Sequence, residues 1–357
     1  MSEVPGAGPV RDEDAFDVAA VTTWLRGHAA DPAGVEGRPE VRQFSGGASN
    51  LTYLLRYAGR DLILRRPPAG TKAKGAHDMG REYRVMAALR PAFAKVPTMV
   101  ALCEDENVIG SPFYVMERLV GTILRADLPA DLGLDEAGVR TLCRNALDTL
   151  VELHRVDLDA TGLASLGRGP GYVARQVGGW SDRYRRARTE DVGDFEDVMT
   201  WLDAHRPDDA GQVLIHNDFR FDNLVLDPAE PTRVIGVLDW ELATVGDPLM
   251  DLGGALAYWV QADDDAPFRR FRLQPTHTPG MLTRAEAVEY YLARTGRRLS
   301  AEQWVFYEVF GLFRLAVIGQ QIYFRYAQGQ TTNRAYAAFH EVVVYLEGRC
   351  RRLIAGG

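Results

Sequence analysis

Between two apolar runs, Val213-Leu214-Ile215 and Leu224-Val225-Leu226, the chain carries His216-Asn217-Asp218-Phe219-Arg220-Phe221-Asp222-Asn223. The flanking runs read as short buried strands, so the polar stretch falls on a tight loop whose side chains are held rigidly. Its pattern is His-x-Asp-x-x-x-x-Asn. A second acid, Asp239, ends the apolar run from Val234 to Leu238. This set suits phosphoryl transfer. One carboxylate has to accept or orient the proton of an attacking hydroxyl. An amide and a second carboxylate have to hold hard Mg ions on the phosphates. Each piece alone is commonplace; the ordered set after buried strands is what carries the reading.

The elements that must position these residues fall into two groups. Residues 15–30 read as a short helix. Val41 to Leu55 reads as two strands around a turn, and Asp61 to Arg65 as a third strand stopped by Pro67-Pro68. Asp78 to Leu89 follows as a helix, then strands at Val100–Glu104 and Phe113–Glu117. After Gly121 helical patterns dominate: Asp135–His154, Val173–Arg188, Phe195–Ala204, Arg284–Arg294 and Ala301–Ala327. Short strand-like runs at Val213–His216, Asn223–Leu226 and Val234–Asp239 lie among them. Loops are expected at 207–209, 227–228 and 263–279. The expected division is a flexible tail over 1–14, a β-rich lobe over 15–117 and a larger, mainly helical lobe over 118–357.

Bulk properties narrow the function classes. The 357 residues fit about two domains or lobes, and 46% hydrophobic with 25% charged content is ordinary for a globular protein. A formal charge of -8 argues against a nucleic-acid partner. Lys72, Lys74 and Lys95 are the only lysines, so a site that wants a cation in a defined strand has to use Arg. Cys103, Cys143 and Cys350 are scattered without a C-x-x-C spacing, which argues against zinc and for free thiols in a reducing compartment. The first residues lack the basic start and apolar run of a signal peptide, and Leu315–Ile318 is too short an apolar stretch to span a membrane. The expectation is a cytoplasmic protein with no membrane partner. No G-x-x-x-x-G-K-[ST] sequence occurs, which excludes a Walker-type phosphate loop.

The loop resembles the catalytic loop of the kinase-like superfamily, in its aminoglycoside phosphotransferase and choline kinase branch. Asp239-Trp240-Glu241 and Gly246-Asp247-Pro248-Leu249-Met250-Asp251-Leu252 resemble further segments of that branch. The resemblance implies an α+β, protein-kinase-like two-lobed fold, with ATP as co-substrate and Mg2+. It implies Asp218 as catalytic base, Asn223 and Asp239 as metal ligands, and Asp247 and Asp251 as braces of the loops. Such a fold also needs a cation in its third strand and a glutamate on the following helix to hold it. Arg65 and Glu82, 17 residues apart, fit those positions, with Arg where the pattern has Lys. Arg66 competes with Arg65, since alternation points it to the opposite face. The turn Phe44-Ser45-Gly46-Gly47-Ala48-Ser49-Asn50 would cover the phosphates, with Ser45, Gly46, Gly47, Ser49 and Asn50 as contacts. The stretch from Phe113 to Gly121 resembles an adenine-binding hinge. There Glu117 C=O and Leu119 N–H would meet the base, and Met116 would line its pocket.

Within that branch, Phe44-Ser45-Gly46-Gly47, Leu64-Arg65-Arg66-Pro67-Pro68, Arg81-Glu82-Tyr83-Arg84-Val85 and Ile109 to Glu117 look most like phosphotransferases fused to, or encoded beside, acyl-CoA dehydrogenases. This implies a small hydroxyl-bearing acyl acceptor and a functional link to an acyl-CoA dehydrogenase. An aminoglycoside acceptor is the alternative, but it needs many carboxylates. The stretch Trp304–Ala327 and the cluster Trp180, Arg183, Tyr184, Arg185 are instead aromatic and Arg-bearing, which favours an apolar or anionic acceptor. A protein kinase is disfavoured, because no Ala-Pro-Glu segment follows Asp239. A non-catalytic nucleotide-binding protein is a further alternative, although the acidic and amide positions are all intact.

Overall fold

A computed structural model describes residues 4–29, 31–44, 50–68 and 78–356. Ser45, Gly46, Gly47 and Ser49, expected in the phosphate-covering turn, lie outside the described residues. The chain divides into two compact units. The first holds residues up to Val120 together with Gly236–Glu241; the second holds Gly121–Ile235 and everything from Leu242 on.

The first unit is one antiparallel sheet with two helices. Its elements are β1 (Ala7–Gly8), α1 (Val18–His28), β2 (Glu40–Phe44), β3 (Leu51–Arg56), β4 (Asp61–Arg66), α2 (Met79–Leu89), β5 (Met99–Cys103) and β6 (Phe113–Glu117). The sheet order is β1-β2-β3-β4-β6-β5. Alternation sorts its faces. Tyr53, Leu55, Leu62 and Leu64 join Val21 and Leu25 of α1 in one apolar core. Arg66 shares that face and reaches past Tyr53 to the backbone of Asp14. Its Nη2 donates to the Asp14 carbonyl at 2.6 Å, and Tyr53 Oη donates to the same oxygen at 2.8 Å. Residues 7–8 thus form an edge strand, and Asp14 is buried, where the sequence suggested a free tail. Arg65 faces the other way, toward α2. Asp78 caps α2 by accepting from Arg81 N at 2.8 Å.

The second unit is mainly helical: α3 (Glu136–His154), α4 (Tyr172–Ala187), α5 (Glu196–Ala204), then β7 (Val213–Ile215), β8 (Leu224–Leu226), β9 (Val234–Val237) and β10 (Thr244–Gly246). The strand β9 carries the chain into its short return to the first unit. Five helices follow: α6 (Pro248–Leu256), α7 (Ala266–Arg270), α8 (Arg284–Thr295), α9 (Ala301–Ala327) and α10 (Phe339–Gly356). Three of them, α6, α7 and α10, were not expected. The stretch 263–279, read as loop, contains the five residues of α7.

At the centre of the second unit α9 packs against α4, α6 and α10. The crossing with α6 is backbone on backbone. A Cβ on Gly311 would lie 2.3 Å from the Gly253 carbonyl oxygen, and one on Gly253 would lie 2.6 Å from that of Tyr307. The stretch Leu315–Ile318, read alone as too short to span a membrane, is part of this 27-residue helix. By length and composition α9 could cross one, but 67% of its most apolar window is buried in the protein, as in a core helix.

Candidate active site

In the first unit the site is built around Arg65. Its Nη1 donates to Glu82 Oε1 at 2.5 Å, and its Nη2 to Asp239 Oδ1 at 2.9 Å. Strand alternation aims Arg65 at α2, and the N-terminal turn of α2 carries Glu82. Asp239 enters from the 236–241 return. That return is anchored three more times: Arg81 Nη1 donates to the Glu241 carbonyl at 3.0 Å, Asn50 Nδ2 to Glu241 Oε2 at 3.0 Å, and Val237 N to the Lys95 carbonyl. Asn50, expected at the cofactor, therefore has its amide nitrogen on this segment. Asp239 has a left-handed backbone, φ 67°, a conformation that costs a non-glycine residue energy and points to a specific demand on its carboxylate.

Charge at this cluster is tightly balanced. Burial pushes the Glu82 carboxyl above its ordinary value, and the Arg65 guanidinium only partly draws it back. Burial also works against the Arg65 charge, but Tyr114, Glu82 and Asp239 more than offset it, so the guanidinium stays charged. Tyr114, on β6, is fully buried beside the pair, and sequence reading gave it no role. Met116 is buried on the same strand, while Glu117 forms an ion pair with Arg60 and its N–H donates to the Thr98 carbonyl at 2.8 Å. Leu119 is half-buried at the end of the unit.

In the second unit the loop after β7 is fixed from below by one carboxylate. Asp251, on α6, accepts from His216 N at 2.8 Å and from Asn217 N at 2.7 Å. His154, at the end of α3, meets the same carboxylate at 3.1 Å, and its other ring nitrogen meets Tyr291 Oη at 2.7 Å. Burial alone would raise Asp251, yet the hydrogen bond and charge of His154 and the contacts of His216 hold it below the ordinary carboxylate value. Asp247 caps α6, accepting from Leu249 N and Met250 N at 2.8 and 2.9 Å. Both acids brace, as the resemblance implied. Asn217 takes a left-handed backbone, φ 64°, which turns the chain sharply into Asp218.

Asp218 has a hydrogen bond at one oxygen and an ion pair at the other. Asn223 Nδ2 donates to Oδ2 at 3.0 Å and to the Asp218 carbonyl at 2.9 Å. Arg220 Nε lies 3.1 Å from Oδ1, and the Arg220 Nη2 reaches Asp222 at 3.2 Å. The Asp218 N–H donates to Nδ1 of His216 at 3.2 Å. Gln274 Oε1 accepts from Phe221 N at 2.7 Å and closes the loop from the far side. Sequence reading missed Arg220, although it lies inside the motif, and missed His154 and Gln274, which no local pattern marks.

Residues 40–286 match the phosphotransferase enzyme family. The chain belongs to that family. This phosphotransferase is 38% identical over 335 residues to mouse acyl-CoA dehydrogenase family member 10, spanning 92% of this chain and 30% of that one. It is 35% identical over 354 residues to acyl-CoA dehydrogenase family member 11 of Gallus gallus, spanning 96% and 44%. The chain thus covers less than half the length of these curated relatives. Among solved structures, a protein from Ralstonia eutropha provisionally described as an aminoglycoside phosphotransferase shares 33% identity, TM-score 0.80, over 96% of this chain and 99% of that one. Choline kinase from Cryptosporidium parvum matches at TM-score 0.61 with 11% identity, over 95% and 96%, which speaks to fold alone. The fold is the kinase-like α+β fold, and the family is one of phosphotransferases.

Proposed function

We propose that the protein moves the γ-phosphate of ATP to a hydroxyl of a small acyl compound, with Mg2+, in the cytoplasm. The observation that carries this reading is the setting of Asp218: a carboxylate hydrogen-bonded by Asn223 at one oxygen and ion-paired with Arg220 at the other, on a loop pinned by Asp251, is positioned to take a hydroxyl proton. Arg65, held charged between Glu82 and Asp239, is the cation for the nucleotide phosphates. The donors suit a hard cation. The Asn223 amide nitrogen is committed to Asp218, which leaves its oxygen, and the Asp239 side chain is 35% exposed. Those two residues would hold Mg2+, which neutralises charge on the phosphates when bound.

The names of the curated relatives support a functional link to an acyl-CoA dehydrogenase, and with it an acyl acceptor. Three free, buried thiols fit a reducing compartment. A thermal-shift series tests the nucleotide reading. Saturation to about 100 times Kd adds about 2.7 kcal/mol of stability, so Mg·ATP should raise the melting temperature clearly and ATP without Mg2+ should raise it less. No shift under either condition contradicts the proposal.

A further inference from the structure

In the second unit two arginines flank one indole. Trp180 and Arg183 lie on one face of α4, and Arg314 comes from α9. The Arg183 guanidinium sits 4.5 Å from the Trp180 ring centroid, and that of Arg314 sits 5.3 Å from it. Trp180 is itself oriented, its Nε1 donating to Gln176 Oε1 at 3.0 Å. Arg314 is buried, and its Nη2 donates to the carbonyl of Asn217, the residue before Asp218, at 2.6 Å. A Cβ on Gly254 would lie 2.9 Å from Arg314 Nη1, so the glycine leaves room for that guanidinium.

Among the described residues Arg183, Arg186 and Arg314 form no ion pair. Their neighbour Asp182 is turned to Arg185, and Asp218 is matched by Arg220. Burial, then the charges of Arg186 and Arg314, hold Arg183 below its ordinary value, so the cations repel one another in place. Of these, the buried Arg314 is the one whose charge water does not offset, so an anion beside it would be favoured.

We infer that Trp180, Arg183 and Arg314 form the subsite that receives an anionic group of the acceptor, a carboxylate or a phosphate ester, while the acceptor hydroxyl is presented to Asp218. This rests on the phosphotransfer reading and adds the acceptor's charge class. The subsite runs from the loop through Arg314 and Trp180 to the exposed Arg183. It recognises an elongated molecule with a hydroxyl toward one end and negative charge toward the other, and it repels a polycation.

Three probes of one carbon skeleton test this: a hydroxycarboxylate, its coenzyme A thioester and its neutral methyl amide. Each is assayed for Mg·ATP-dependent phosphorylation, and for quenching of the fluorescence that Trp180→Phe removes. Wild type should favour at least one anionic probe over the amide tenfold or more in kcat/KM or in quench affinity. The preferred probe tells carboxylate from phosphate. Arg183→Glu should raise KM for that probe tenfold or more with kcat and the KM for ATP little changed, and Arg183→Lys should restore most of the loss. Equal use or binding of the amide, or an unaltered anion KM in Arg183→Glu, overturns the subsite while phosphotransfer stands. Absence of any Mg·ATP thermal shift instead overturns the phosphotransfer reading beneath it.

Discussion

Asp218 accepts a hydrogen bond from Asn223 at one carboxylate oxygen and lies in an ion pair with Arg220 at the other. Asp218→Asn keeps its size but removes its basicity, so turnover should fall by ~10²–10⁴ while the Mg·ATP thermal shift persists. Wild-type turnover in that variant removes Asp218 from the chemistry. Arg65→Met leaves the buried Glu82 without its partner and should cost about 3–5 kcal/mol in urea unfolding, whereas Arg65→Met with Glu82→Leu should recover much of that stability. Neither variant should bind ATP as wild type does. A stable single variant would show that the pair carries no buried charge. The Arg65–Glu82 pair was legible through the family resemblance, whose strand cation and helix glutamate fall at these positions. The choice between Arg65 and Arg66 needed the structure, where Arg66 is occupied by Asp14 and Tyr53. Asp239 as a third member was not legible as a contact, since it lies 174 residues from Arg65.

At the scale of elements, the loop is positioned by α6 rather than by its own turn. Asp251 gathers two backbone N–H groups and His154, and its folded value lies below the ordinary 3.8. A depressed carboxylate stabilises fully above its unfolded value and loses that effect as pH falls through its folded value. Asp251→Asn should therefore lower stability at neutral pH by about 2–3 kcal/mol, the scale of hydrogen bonds to a charged group. It should also flatten the loss of stability below pH 3.8 seen by urea titration. An unchanged acid limb contradicts this. The crossing of α6 and α9 makes a second prediction. Gly311→Ala puts a methyl against the Gly253 carbonyl and should cost about 1–3 kcal/mol, read as a lowered urea midpoint. These glycines also explain why α6 was not read from sequence. Gly253-Gly254 weaken helix propensity, and only the close approach of another backbone makes them useful. By contrast α9, long and periodic with a Ser300–Gln303 capping box, was legible to its ends.

At the scale of the molecule, the chain order hides one feature. Residues 236–241 belong to the first unit although the sequence around them builds the second. A boundary read from composition near Gly121 captures the first crossing but not this return, because six residues carry no compositional signal of their own. The return is what brings Asp239 to Arg65. Phosphorus NMR reads transfer of phosphate from Mg·ATP to a hydroxyl without an intermediary. The whole protein is incubated with ATP and a hydroxyacyl acceptor, with and without Mg2+. A new phosphomonoester signal should grow in step with ADP, only when Mg2+ is present, and be lost in Asp218→Asn. ADP accompanied by inorganic phosphate alone, or an equal phosphomonoester signal from Asp218→Asn, would contradict it.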